Sequence, residues 1–325
     1  MPAITVLLAS YQPNPLFLHE QINSICEQIQ CEPFSILIRD DGSSNEVLEL
    51  LWDLAKSDSR IHFFTDELGS LGAKGNFAQL LHSAHDKQVD YVLFADQDDV
   101  WANDKIAQLY TLMEEMEVKY DDAPIMIYSD MSVVDYNLKK IAPSFMNYMN
   151  MYHKSSHALQ VLLAQNFVTG CTMMFNRALM NIAYPIPPEA LLHDWWIALC
   201  AAALGRVEYI DQALVQYRQH GHNTVGAKHI RNLINPFKHN IYQHWRSGQV
   251  NLAKSMAQAD ALARRIKAYD VTHPDLPLIE SYAALLSLPP HRRLIELHRL
   301  GVHAQSSLRH MLLLTRLCGL RRVSA

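Results

Sequence analysis

Ten residues, Val92 to Trp101, constrain the fold of this chain more than any other stretch. In VLFADQDDVW an apolar run stops at three acids, Asp96, Asp98 and Asp99, and Asp104 follows shortly after. The run suits a strand buried on both faces, and the acids fall where that strand leaves the core. Carboxylates this close repel one another. A divalent cation would relieve the repulsion and give a diphosphate something to bind. The plainer alternative is a solvated turn followed by a helix cap, which suits Asp104 and Asp99.

The same design recurs along the first half of the chain. Ile4 to Ala9 reads as a buried strand ending at Ser10-Tyr11-Gln12-Pro13, followed by a helix with Leu16, Ile22, Ile25 and Ile29 on one stripe. Phe34 to Ile38 repeats the strand and ends at Asp40-Asp41-Gly42, where glycine permits a tight turn. Ser43 or Ser44 can cap the next helix, which carries Val47, Leu48, Leu51 and Leu54. A short strand, Ile61 to Phe64, leads into the Gly-rich stretch Leu68 to Phe77. That stretch holds Lys74 and Asn76, lacks the spacing of a P-loop, and reads as an approach loop to a ligand before a helix from Phe77 to His85. After the acidic exit come a helix, Asp104 to Val118, and a strand, Ile125 to Tyr128, before Asp130. Alternating strands and helices predict a parallel α/β sheet, which binds ligands at the carboxyl ends of its strands. Strands ending near Asp41, Asp96 and Asp130 then bring carboxylates to one edge, and coincidence becomes the poorer account.

Composition excludes other classes. A formal charge of -5 over 325 residues gives no basic footprint for nucleic acid. The five cysteines show no ligand-like pairing and are expected as reduced thiols of a cytoplasmic protein. No apolar stretch approaches the roughly 18 residues of a membrane span, and the first residues read as a strand rather than an export signal.

The second half changes character. Pro143 to Ser156, rich in Met, Tyr and Asn, reads as a long loop or lid, and Leu159 to Leu163 as a short helix. Phe167 to Phe175 is predicted as a strand in which Gly170 allows close backbone approach to a ligand and Cys171 is a core thiol. Past a proline-marked turn, His193-Asp194-Trp195-Trp196 opens an apolar helix reaching Leu204. Asp194 suits a helix cap, whose N–H groups and dipole stabilise a carboxylate, and such a carboxylate can also accept a proton. The tryptophans offer a wall and a face for a sugar ring. Two short strands, Val207 to Ile210 and Ala213 to Tyr217, precede Arg218-Gln219-His220-Gly221-His222. Imidazole is a good Mn²⁺ ligand, so His220 can complete a site begun by Asp98, although a histidine is more often a surface residue. Lys74 and Arg218 are candidate phosphate contacts against the same background. Beyond Val225 the sequence is helical and more polar, with segments Val250 to Tyr269, Leu278 to Leu288 and Arg292 to Leu320. The last interleaves Arg309, Arg316, Arg321 and Arg322 with leucines, a pattern that suits either an anionic membrane surface or packing on neighbouring helices or a second subunit.

Taken in order, Ser10-Tyr11, the Asp40-Asp41-Gly42-Ser43-Ser44 turn, the Gly-rich loop ending in Asn76, Asp96-Gln97-Asp98, Gly170-Cys171, His193-Asp194 and Tyr217-Arg218-Gln219-His220 resemble family 2 glycosyltransferases. The likeness, over about Pro2 to Val225, is strongest to the rhamnosyltransferase-like branch that builds bacterial surface polysaccharides. It implies an α/β GT-A fold over residues 1–225, with a Rossmann-like, mostly parallel central sheet flanked by helices, and a C-terminal helical appendage over 226–325. It further implies inverting, metal-dependent transfer of a sugar from a nucleotide-sugar donor, dTDP-rhamnose or a UDP-sugar, to a hydroxyl of a glycan or lipid-linked oligosaccharide in O-antigen or capsule synthesis. Asp98, with His220, would hold Mn²⁺ or Mg²⁺, and Asp194 would be the catalytic base. Asp41 would contact the nucleobase and Asp96 the ribose or the metal environment. Ser10, Tyr11, Lys74, Asn76, Gly170, Trp195 and Arg218 would complete the donor site. His193 stands where the family usually has a glutamate, and the QxxRW motif of processive synthases is absent. One base without a second carboxylate suits a single, inverting displacement. The expected protein is cytoplasmic or peripheral on the inner face of the cell membrane, as a monomer or homo-oligomer. The alternative is a nucleotide- or sugar-binding protein that keeps the fold without turnover.

Overall fold

Apolar runs that bury both faces become the strands at the centre of the protein. The computed structural model describes residues 2–121, 123–153, 157–220 and 241–320. Its strands are β1 (Ile4–Ser10), β2 (Phe34–Asp40), β3 (Ile61–Phe64), β4 (Tyr91–Ala95), β5 (Val100–Trp101), β6 (Ile125–Val134), β7 (Lys140–Ala142), β8 (Met173–Asn176) and β9 (Arg206–Arg218). They form one sheet ordered β3-β2-β1-β4-β8-β6-β9-β5, with β7 on β6. β1 pairs in parallel with β2 and β4, β2 with β3, and β6 with β9, whereas β8 is antiparallel to both of its neighbours. β6 therefore points the same way as β4, and the carboxyl ends of β1, β2, β4 and β6 open on one edge.

Helices α1 (Pro15–Cys26), α2 (Asn45–Ser57), α3 (Gly72–Asp86) and α4 (Lys105–Tyr120) follow the early strands and cover both faces. Alternate β1 residues Ile4, Val6 and Leu8 pack with Ile36 and Ile38 against Ile22 and Ile25 of α1, Leu51 of α2 and Ile106 of α4. On the other face Phe77 of α3 meets Phe94 edge-on at 5.0 Å. Each fully buried aliphatic side chain in these layers contributes about 1.5–3 kcal/mol.

The chain divides into two compact units. The first, Met1–Phe145 with Val168–Pro185 and Gly205–Gly226, contains the whole sheet and a further short helix, Arg177–Ala183. The second comprises Met146–Phe167, Ile186–Leu204 and Ala227–Ala325, and its described elements are helical. The expected boundary at Val225 lies outside the described residues, and the second unit takes in two earlier segments along with the C-terminal helices. Buried Leu252, Met256, Ala259, Leu262, Ala263 and Ile266 mark one face of its longest helix, Ile241–Tyr269. Buried Arg293, on the helix Pro290–Arg299, donates to the carbonyls of Leu286, Leu288, Leu317 and Leu320, which satisfies both a buried cation and the end of the last helix. No helix among the described residues is long and apolar enough to cross a membrane.

Several expected elements differ. Phe167 to Phe175 is not one strand: a 3-10 turn, Gly170–Thr172, precedes β8, because Lys105 reaches across to the Cys171 carbonyl at 2.6 Å and Thr169 accepts from Thr172. β6 extends through Asp130 to Val134, and the two short strands expected after Val207 are one, β9, with register shifts opposite Asp130. α3 starts at Gly72 rather than Phe77, so half of the Gly-rich loop is its first turn. The helix expected over Arg292 to Leu320 breaks at Gly301, whose φ of 67° is left-handed, and resumes as Ser307–Gly319 under a Ser306 cap. The expected lid contains a helical turn, Phe145–Tyr148, and both main-chain groups of Tyr152 pair with the Gln305 amide.

Candidate functional site

The carboxyl edge of the first unit gathers most of the candidates. At the end of β2, Asp40 accepts the Gly42 and Ser43 N–H groups at 2.9 and 2.6 Å and two hydroxyls, from Ser43 at 2.6 Å and from buried Ser10 at 3.3 Å. It shapes the turn that presents Asp41. Asp41 itself accepts four hydrogen bonds: Arg39 Nη1 at 2.9 Å and Leu71 N–H at 2.8 Å on Oδ1, Ser70 Oγ at 3.0 Å and Gly72 N–H at 2.7 Å on Oδ2. The carboxylate thus caps α3 from a neighbouring strand, where the Gly-rich stretch supplies no capping side chain of its own. Arg39 is fully buried and completes this knot with Asp66 at 2.8 Å and Asn76 Oδ1 at 3.1 Å. The Asn76 amide donates to the carbonyls of Ser10 and Arg39, so it ties β1, β2 and α3 together. Lys74 lies half-buried in the first turn of α3, and Tyr11, beyond β1, is 53% exposed.

Beyond β4 the acids separate into two kinds. Asp98 is half-buried and its Oδ2 lies 2.6 Å from His220 Nε2, whose ring packs 5.6 Å from Phe17. Asp99 is completely buried, and its carboxyl is raised well above the usual range, first by burial and then by Asp98 and Asp96. Behind it lies a buried lysine: Lys105 sits 3.2 Å over the Trp101 ring, and burial lowers its ammonium to about 7. Cys171 is likewise pushed up by burial, then by Asp99 and Asp96, which keeps it a thiol. Ligand atoms of Asp96, Asp99 and Cys171 lie within 4.8 Å of one another. The Asp98 carboxylate and the His220 imidazole form a separate pair whose donor types suit Mn²⁺ or Mg²⁺ better than the Cys171 thiol does, since hard cations take oxygen and tolerate imidazole, and a protonated thiol is a poor ligand. A carboxylate paired with an imidazole beside the acids of the same loop fits a divalent cation by donor type.

Other candidates take structural places. Arg218, expected on a phosphate, is 1% exposed, and its guanidinium serves the Asp98 and Tyr136 carbonyls at 2.9 and 2.6 Å and the Glu20 carboxylate, over the Phe17 ring. Its N–H donates to Asp99 at 3.2 Å. Arg218 therefore braces the acidic loop, and in this arrangement protein acceptors occupy it where a phosphate contact was expected. Gly170 is buried in the turn that Lys105 holds. Asp130 also lies inside β6, where it accepts the Met131 N–H and the Ser144 hydroxyl. His222 lies outside the described residues.

Asp194 belongs to the second unit, in the first turn of the helix His193–Leu204, and its Oδ1 accepts the Trp195 N–H at 2.6 Å. Trp195 keeps 9% of its surface and donates its indole N–H to the Leu162 carbonyl at 2.6 Å, so it is a buried wall rather than an open stacking face. His193 is buried, and desolvation lowers its imidazole to about 3, which keeps it neutral. Sequence reasoning missed Arg39, Gln97 and Lys105. Arg39 had a signal, a cation inside an otherwise apolar strand, which demands buried partners.

Residues 5–182, more than half of the 325-residue chain, match the family described as glycosyl transferase family 2. The dTDP-rhamnosyl transferase RfbG of Shigella flexneri is 26% identical over 222 residues, 65% of this chain and 71% of RfbG. A structure of S. aureus TarS 1-349 in complex with UDP-GlcNAc superposes with a TM-score of 0.55 at 15% identity, covering 98% of this chain and 88% of that one. In another TarS structure the chain spans only 53% of the solved protein. The mannosyltransferase PcManGT from Pyrobaculum calidifontis, in complex with GDP-Man and Mn²⁺, gives a TM-score of 0.51 at 16% identity, covering 91% of this chain and 73% of that one. These structural likenesses establish the α/β fold with its central sheet flanked by helices.

Proposed function

The chain belongs to glycosyl transferase family 2 and is a glycosyltransferase-type enzyme, and from that premise we propose that it performs inverting, metal-dependent transfer of one sugar from a nucleotide-sugar donor to a glycan or lipid-linked acceptor hydroxyl. The observation that carries the reading is the Asp98–His220 pair, on the strand-end edge that also bears Asp41 and Asp96. Chemically, the acceptor oxygen bonds to the anomeric carbon while the bond from that carbon to the diphosphate breaks, and Asp194 takes the acceptor proton. A divalent cation held by Asp98 with His220 would supply Lewis-acid neutralisation of the leaving diphosphate. His193, neutral by burial, leaves Asp194 without a carboxylate beside it in sequence, which favours one displacement over two.

The donor is dTDP-rhamnose or a UDP-sugar. The name of RfbG supports the first and the ligand of TarS the second. The acceptor belongs to a bacterial surface polysaccharide such as O-antigen or capsule, and the enzyme works in the cytoplasm, held to the inner membrane face by charge. The test is nucleotide release from UDP-, dTDP- and GDP-sugars by the purified chain with Mn²⁺ and candidate acceptors. Release confined to one donor and dependent on metal is expected. Donor binding without release under every condition would favour the non-catalytic alternative.

A further inference from the structure

The middle residue of the acidic triplet has a task of its own. Gln97 Oε1 accepts the Tyr11 N–H at 2.8 Å, and Gln97 Nε2 donates to the Tyr11 carbonyl at 3.0 Å. One side chain thus satisfies both main-chain groups of one residue, as a neighbouring strand would. The next residue is fixed from the other side. Gln12 has left-handed backbone, φ 42°, and its N–H donates to Ser43 Oγ at 2.7 Å, while that hydroxyl is itself held by Asp40 at 2.6 Å. A non-glycine residue keeps such a conformation only when its surroundings over-determine it. The segment after β1 is therefore clamped between the metal motif and the Asp40 turn, while the Tyr11 ring stays open to solvent at the ligand-binding edge. An exposed aromatic ring on a fixed backbone is a platform on which a nucleobase can stack.

Resting on the donor-binding role proposed above, we infer that Gln97 is a positioning residue: its amide aims the Tyr11 ring at the donor nucleobase and couples that ring to the acids on either side of Gln97. The side-chain chemistry is selective. A primary amide offers a donor and an acceptor together, whereas glutamate would lose the bond to the Tyr11 carbonyl and methionine would lose both at nearly the same length.

The test uses the full chain with Mn²⁺ and UDP, dTDP and GDP as probes, measured by calorimetry for the parent, Gln97→Met, Tyr11→Ala and the double variant. Gln97→Met should weaken nucleotide binding about fivefold, and in turnover should raise donor KM while leaving kcat close to the parent. In the Tyr11→Ala background the same change should have no further effect, which a general structural loss would not reproduce. Parental affinity in Gln97→Met, or a loss that adds in full to that of Tyr11→Ala, overturns the inference while leaving the transferase reading standing. A parent that binds none of the three nucleotides overturns the donor reading, and this inference with it. If Gln97→Met fails to fold, Gln97→Ala, which removes both bonds without adding a charge between Asp96 and Asp98, decides the same comparison.

Discussion

The Asp98 carboxylate and the His220 imidazole meet at 2.6 Å although 122 residues separate them in the chain. β5 and β9 create the meeting, since Val100 pairs with Gln216 and Trp101 with Val215, which brings the strand before His220 alongside the strand after Asp98. Nucleotide affinity should rise at least about tenfold when Mn²⁺ is added to the parent, and this increment should vanish in Asp98→Ala and shrink in His220→Gln. Calorimetry with and without Mn²⁺ checks it. Equal affinities in the two conditions for the parent would remove the metal from the donor site.

Asp41 carries a second prediction, about stability. Its four acceptor positions are filled by Arg39, Ser70, Leu71 and Gly72. Asp41→Asn keeps the shape but turns an NH₂ group toward donors, so at least one backbone N–H, that of Gly72 or Leu71, loses its acceptor, and buried Arg39 loses its ionic partner there. Unfolding in urea should show a loss of about 2–4 kcal/mol. A variant as stable as the parent would mean that the knot around Arg39 reorganises at no cost.

How much of this was legible in the sequence follows from the range of the interactions. β1, β2 and β4 and their acids could be read because a buried parallel strand is a local pattern, an apolar run with an abrupt polar end. The Gly170–Thr172 turn could not, since its geometry depends on Lys105, 66 residues away from Cys171. Arg218 looked like a phosphate ligand for a related reason. A guanidinium at a strand end has the right chemistry, and only the fold reveals that Glu20 and two carbonyls consume it. Gln97 was overlooked because the charges on either side of it dominate the motif.

Asp194 supports a kinetic prediction. Asp194→Asn preserves the side-chain oxygen that accepts the Trp195 N–H, and so the local structure of the helix start. It removes proton acceptance. Turnover should fall by about 10²-fold or more while nucleotide affinity stays within a factor of about two. Near-parental turnover would transfer the base role to another residue.

The last helix bears on membrane attachment. Leu313 and Leu317 are buried within the second unit, and Arg309 donates to the carbonyls of Asn150 and Met149. Those two leucines are therefore already used, while Met311 of the same helix stays 55% exposed, and the proposed attachment rests on the basic residues. Anionic vesicles should sediment the full chain at low salt and neutral vesicles should not, and replacing Arg321 and Arg322 by alanine should cost about 2 kcal/mol of that binding. Sedimentation that is indifferent to lipid charge would remove the membrane from the proposal.

His193 gives the protein a pH dependence whose sign is fixed by burial. Its imidazole titrates near 6.5 in an unfolded chain and at about 3 when folded, so between those values the unfolded chain binds the extra proton. The contribution of His193 to stability should therefore be full above about pH 6.5 and decline as the pH falls toward 3, by at most about 1.4 kcal/mol per pH unit. Carboxylates held low by arginines, such as Asp58 beside Arg60, add their own loss only below about pH 4. Lys105, Asp99 and the burial-shifted His153 and His310 respond alike in the parent and a His193 variant, so the difference between the two over a window of pH 5 to 7.5 reports the histidine. Urea unfolding in that window should show the parent losing stability on acidification faster than His193→Gln, which has no imidazole to protonate. Parallel curves would mean that the folded protein accepts a proton at His193 without penalty, and a charged imidazole would then stand beside Asp194 in the chain. A cation there would make the carboxylate a weaker base. The same titration thus bears on whether Asp194 faces the acceptor proton as the only ionised group of the His193-Asp194 pair.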